Sequence, residues 1–79
     1  MSARHDKFRL RNASGSAMEI HVEPWGEQYE LPAGATLELE ATGPDTGLLE
    51  VEIRETVLVA HGWSGSVVRV FRDGVELAR

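Results

Sequence analysis

Apolar and charged residues alternate one for one through most of this chain, and a period of two is the signature of a β-strand. Phe8 and Leu10 alternate with Lys7, Arg9 and Arg11; Met18, Ile20 and Val22 with Glu19, His21 and Glu23; Tyr29 and Leu31 with Gln28 and Glu30. Further on, Leu37 and Leu39 alternate with Thr36, Glu38 and Glu40, and Leu49, Val51 and Ile53 with Glu50, Glu52 and Arg54. Successive strand side chains point to opposite faces, so each run puts its apolar set on one face and its polar set on the other. Such strands are half-buried and antiparallel. No window offers the i, i+3, i+4, i+7 spacing, free of Gly and Pro, that an amphipathic helix needs.

Turn-forming residues fall between the runs. They are Asn12-Ala-Ser-Gly-Ser16, Glu23-Pro-Trp-Gly26, Leu31-Pro-Ala-Gly34, Thr42-Gly-Pro-Asp-Thr-Gly47, Gly62-Trp-Ser-Gly65 and Asp73-Gly74. Pro24 and Pro32, each with a glycine two places on, suit the second position of a type I turn with Gly at the fourth. Asp73-Gly74 reads as a tight hairpin. Turns at about every 8–12 residues mark a sandwich or barrel. The reading is all-β: a small antiparallel β-sandwich or barrel of about seven to eight short strands, with little or no helix. It forms a single domain over 1–79, with residues 1–6 as a flexible N-terminal tail.

Two runs break the alternation. Val57-Leu-Val-Ala60, and Val67-Val68 with Val70 and Phe71, are apolar on both faces. Such strands are expected at the centre of a sheet, covered on both sides or facing a second subunit. Phe8 and Phe71 read as core residues, and the segment from Gly74 to Arg79 as a closing edge strand.

A chain of 79 residues buries only about 60% of the surface its unfolded form exposes, so the core must be thin. It has no cysteine, which removes disulfides and thiolate-bound zinc as stabilisers. Packing remains, and self-association would bury surface that a thin core leaves exposed. The polar start of the chain leads directly into an alternating run, and no window approaches the ~18 apolar residues of a membrane span. The expectation is a cytoplasmic protein, not associated with membrane.

Charge is unevenly spread. Residues 1–11 carry Arg4, Lys7, Arg9 and Arg11 against Asp6, a net +3. Residues 12–53 carry eight glutamates and Asp45 with no Lys or Arg, a net −9, and residues 54–79 are close to neutral. Terminal strands paired beside central ones would bring opposite charges together across the ladder, at ~0.2–1 kcal/mol per pair. The other reading is an acidic face for a basic partner. Nucleic acid is not expected as a partner, because phosphate binding needs clustered cations and strand-binding sheets need several exposed aromatics.

The chemistry-bearing motifs are sparse. His21 and Glu23 share the outward face of one strand and His61 can join them from a loop, so a small-ligand or metal-binding domain on these three residues is the alternative reading. Copper electron transfer lacks its thiolate. Gly62-Trp-Ser-Gly-Ser66 lacks the final glycine of a nucleophile elbow and the larger fold it needs. Glu38/Glu40 and Glu50/Glu52 fall on outward faces, where no burial shifts a carboxyl toward acid–base work. No catalytic residue, metal or cofactor is assigned, and the chain is not read as an enzyme.

Trp25 and Trp63 both stand at turns. Each either folds back to cap one end of a thin sandwich or is presented to a partner, as interface tryptophans are. The segment Glu23-Pro-Trp-Gly-Glu-Gln-Tyr-Glu-Leu-Pro-Ala-Gly-Ala35, with the later Gly62-Trp-Ser-Gly-Ser-Val-Val68 and Phe71-Arg-Asp-Gly74, resembles a group of small bacterial proteins of unknown function. Seven arginines to one lysine resemble the residue usage of high-GC bacteria. The stretch from Tyr29 to Leu39 is similar to a strand-turn-strand of immunoglobulin-like and cupredoxin-like sandwiches, which implies a sandwich and no particular chemistry. The functional expectation is a non-catalytic domain for protein interaction or self-association, with Trp25, Trp63, Tyr29, His61 and His21 as the interaction surface.

Overall fold

The computed structural model describes residues 2–77, which form eight strands and no helix. The strands are β1 (Ala3–Arg11), β2 (Met18–Glu23), β3 (Glu27–Leu31), β4 (Thr36–Pro44), β5 (Glu50–Arg54), β6 (Val57–His61), β7 (Val67–Arg72) and β8 (Val75–Glu76). They make two four-stranded sheets, in the orders β1-β4-β7-β8 and β3-β2-β6-β5. The architecture is a two-layer sandwich. Among the described residues no helix is long and apolar enough to cross a membrane.

Alternation places the core as expected. Leu37, Leu39, Ala41, Val68 and Val70 of the first sheet meet Ile20, Val22, Leu31 and Ala60 of the second in one buried cluster. All are aliphatic. Phe8, Tyr29 and Trp63 pack against its margin. The two runs that are apolar on both faces, β6 and β7, each lie between two neighbours. Outward-facing Val59 is only 7% exposed, with His21 and Glu52 beside it in register.

The ladder also resolves the charge asymmetry. Pairing of β1 with β4 sets Lys7 opposite Glu40 and Arg9 opposite Glu38, and Arg69 of β7 flanks Glu40 from the other side. Arg9 Nη2 donates to Glu38 Oε2 at 3.1 Å, and His5 Nε2 lies 3.1 Å from Glu40 Oε2. The acids of β4 are thus matched by the basic strands on both sides.

Several details differ from the sequence reading. Ala3–Asp6, expected in a mobile tail, belong to β1 and pair with residues 41–44. One pairing, β2 with β6, is parallel, because β2 and β6 enter the second sheet from the same end. Phe71 faces outward, opposite Glu38, since its neighbour Val70 is the one that faces inward beside Leu39. At Pro32 the turn begins one residue later than the type I assignment requires: the Ala35 amide donates to the Pro32 carbonyl at 3.0 Å. That puts Gly34, at φ 77°, in the third position of a type II turn, which needs positive φ.

A buried asparagine ties one end of the sandwich. Asn12 is 2% exposed. Its Nδ2 donates to the carbonyls of Ser16 (2.8 Å) and Leu31 (3.0 Å), and its Oδ1 accepts from the amide and hydroxyl of Ser14 (3.0 and 2.6 Å). Its backbone amide donates to Ala35 O and its carbonyl accepts from the Gly34 amide. One side chain therefore joins the β1–β2 loop to the end of β3. Replacing it by alanine strands buried partners, at about 1–3 kcal/mol. Urea unfolding of Asn12→Ala is expected to show that loss with an unchanged m-value.

Candidate functional site

The outer face of the second sheet carries the sequence-derived histidines. Register places Glu23 beside His61, and His61 beside Glu50, in one row across β2, β6 and β5. His21 stands one row away, between Gln28 and Val59. The structure thus brings Glu23 and His61 together and His21 near them. Their imidazoles nevertheless serve different carboxylates: His21 Nε2 lies 3.3 Å from Glu19 Oε1, and His61 Nε2 lies 3.1 Å from Glu52 Oε1. Among the described residues no group of three or more His, Cys, Asp or Glu is arranged to hold a metal ion.

Glu52 is the hub of that face. Arg54 Nε donates to its Oε2 at 2.6 Å while His61 approaches its Oε1. The Arg54 hydrogen bond, and then the His61 one, hold the Glu52 carboxyl below its ordinary value of 4.5. Because the folded value is depressed, the stabilisation from this pairing is present above pH 4.5 and lost as the pH falls through the lowered value. The group is exposed and the effect modest.

The two tryptophans meet at one end of the sandwich, where the β2–β3, β4–β5 and β6–β7 connections lie. Trp63 folds back over the core margin, and its indole N–H donates to the Pro44 carbonyl at 2.8 Å. A Cβ on Gly47 would collide with the Trp63 ring, and one on Gly43 would stand 3.1 Å from it. Trp63 is therefore wedged between Gly43 of β4 and Gly47 of the β4–β5 connection. Trp25, 39% exposed, lies over Gly62, where a Cβ would come within 2.8 Å of its ring. Tyr29 packs against the core margin and donates its hydroxyl to Glu27 Oε1 at 3.0 Å. Of the five residues expected at an interaction surface, Trp25 is exposed, while Trp63, Tyr29, His21 and His61 are half-buried and each has a polar partner.

The open part of the molecule is its opposite long side. The Arg72 guanidinium reaches from β7 to the Glu30 carbonyl of β3 at 2.7 Å, closing the sandwich there. On the other side β1 lies over β5, and a cleft of about 450 Å³ opens between them, lined by Arg4, Asp6, Phe8, Leu48, Leu49 and Val51. Val51 and Ile53 occupy the inward face of β5, in register with core-facing Ala60 and Leu58. Yet Val51 is 42% exposed, Ile53 73% and Leu48 63%. The first sheet ends before it covers them. Alternation showed which face these residues share; only the offset between the layers shows that this face is bare.

The chain matches no known protein family, no curated protein and no solved structure. The site rests on its own geometry. Substitution Arg54→Gln is expected to move the Glu52 carboxyl upward toward 4.5, read by NMR titration of the side-chain carboxyl carbon.

Proposed function

We propose that this chain is a non-catalytic, cytoplasmic β-domain that works by binding protein, and that it does so through the open side at β5 rather than through the tryptophan end. The observation that carries this reading is the run of Leu48, Val51 and Ile53 along one edge, all exposed. Contiguous apolar surface beside a free sheet edge is characteristic of protein docking. Trp63 has its indole N–H satisfied inside the end cap, which favours a structural role for it. The histidines and all the strand glutamates but Glu27 stand on outer faces within reach of solvent, an environment suited to solubility and recognition more than to proton transfer.

A photo-crosslinking residue placed at Ile53, and in a control at Arg69 on the outer face of the first sheet, tests this in cells that make the protein. A protein adduct is expected at 53 and not at 69. Equal or absent labelling at both positions would refute a β5 docking surface.

A further inference from the structure

A sandwich of two open sheets has four edges, and three of them are protected. β8 is only two residues long. β3 is flanked by Pro24 and Pro32, and Arg72 occupies its Glu30 carbonyl. β1 carries charges on its inward face: Arg4 and Asp6 stand opposite Gly43 and core residue Ala41, paired at 3.3 Å. Short length, proline and inward-pointing charge are the recognised means of keeping sheet edges from pairing with other chains. β5 has none of them. It runs five residues, Glu50–Arg54, with two exposed apolar side chains on its inner face.

The order of residues along β5 suggests what covers it. Written antiparallel to itself about Glu52, the strand sets Glu50 opposite Arg54 and Val51 opposite Ile53, each twice. Both apolar pairs then fall on the inner face and both opposite-charge pairs on the outer face. All five residues are used, and directly opposed pairs of these two kinds are the stabilising ones in antiparallel sheets. Glu52 meets its own copy at the axis, with its charge already held by Arg54 and His61. Shifted by two residues toward the β4–β5 loop, the register would instead oppose Glu50 and Glu52.

We infer that β5 pairs with β5 of a second copy of this chain, through a two-fold axis at Glu52, joining the two second sheets into one of eight strands. This rests on the reading of the β5 side as a docking surface and names its occupant. Such contact is isologous, each copy offering the same strand. Five residues a side make a small interface, so the dimer is of the weak, concentration-dependent kind.

The absence of cysteine makes the test clean. Sedimentation velocity of the native chain from about 1 µM to about 1 mM, spanning the range of weak association, is expected to pass from one chain to two. Ile53→Lys, at a position already exposed, is expected to keep the far-UV spectrum and remain monomeric throughout. Glu52→Cys is expected to form a disulfide-linked dimer under mild oxidation, since opposed residues lie about 4.5–5.5 Å apart between Cα atoms; Arg69→Cys is expected not to. A native chain that stays monomeric, or equal oxidation of both cysteine variants, overturns the inference. A photo-adduct at position 53 to a different protein, with a monomeric chain, would overturn self-pairing while upholding the docking surface. No adduct at all would remove both.

Discussion

The structure depends on how two four-stranded sheets cover each other with very little material. Nine buried aliphatic residues form the cluster between them, and no aromatic ring is fully enclosed. In so thin a core each large side chain counts, because truncating one buried leucine costs about 2–5 kcal/mol against a total of about 5–15 kcal/mol for a typical domain. The margins therefore carry structural work. Trp63 seals one end, the Asn12 network ties the other, and Arg72 closes the β7–β3 side. The fourth margin is unsealed. The layers are offset, and β5 extends past the cover that β1 provides.

That offset connects folding to function. A protein edge that is guarded everywhere needs no partner, and one that is bare everywhere aggregates. Here the guarding is selective. The charges of Arg4 and Asp6 lie on the inner face of β1, at some cost, since Arg4 Nε is buried with no hydrogen-bond partner. The same cleft is bordered by the bare Leu48 and Val51 of the opposite layer. In the reading proposed above, the docking surface is limited in extent and defined in register, with Val51 and Ile53 on the inner face and Glu50, Glu52 and Arg54 on the outer.

Much of this was legible in the chain. Alternation identified the strands and their inward faces, because a period of two leaves no other arrangement that buries Leu37, Leu39, Ile20 and Val22 together. The basic start and acidic middle pointed to a terminal strand beside a central one, and the pairing of β1 with β4 is such a case. Other features were not legible. The Glu55–Thr56 turn between β5 and β6 has neither glycine nor proline, and Glu55 takes φ 41° without any local signal. Asn12 looked like an ordinary loop residue, and its burial depends on where β3 and its turn arrive. Val51 and Ile53 looked like Ile20 and Val22, because pattern reports a face and only the stacking of layers reports whether that face is covered. For the same reason Trp25 and Trp63, alike in sequence setting, end in different surroundings.

Edge pairing at β5 is read most directly by amide hydrogen exchange followed residue by residue in dilute and in near-millimolar solution. Local protection reports which backbone groups are sheltered from solvent. With β5 paired to β5, its amides gain protection with concentration while those of β1 and β3 keep the same exchange rates. Exchange in β5 that does not change with concentration, or protection that rises first at the Trp25 and Trp63 end, would contradict that pairing.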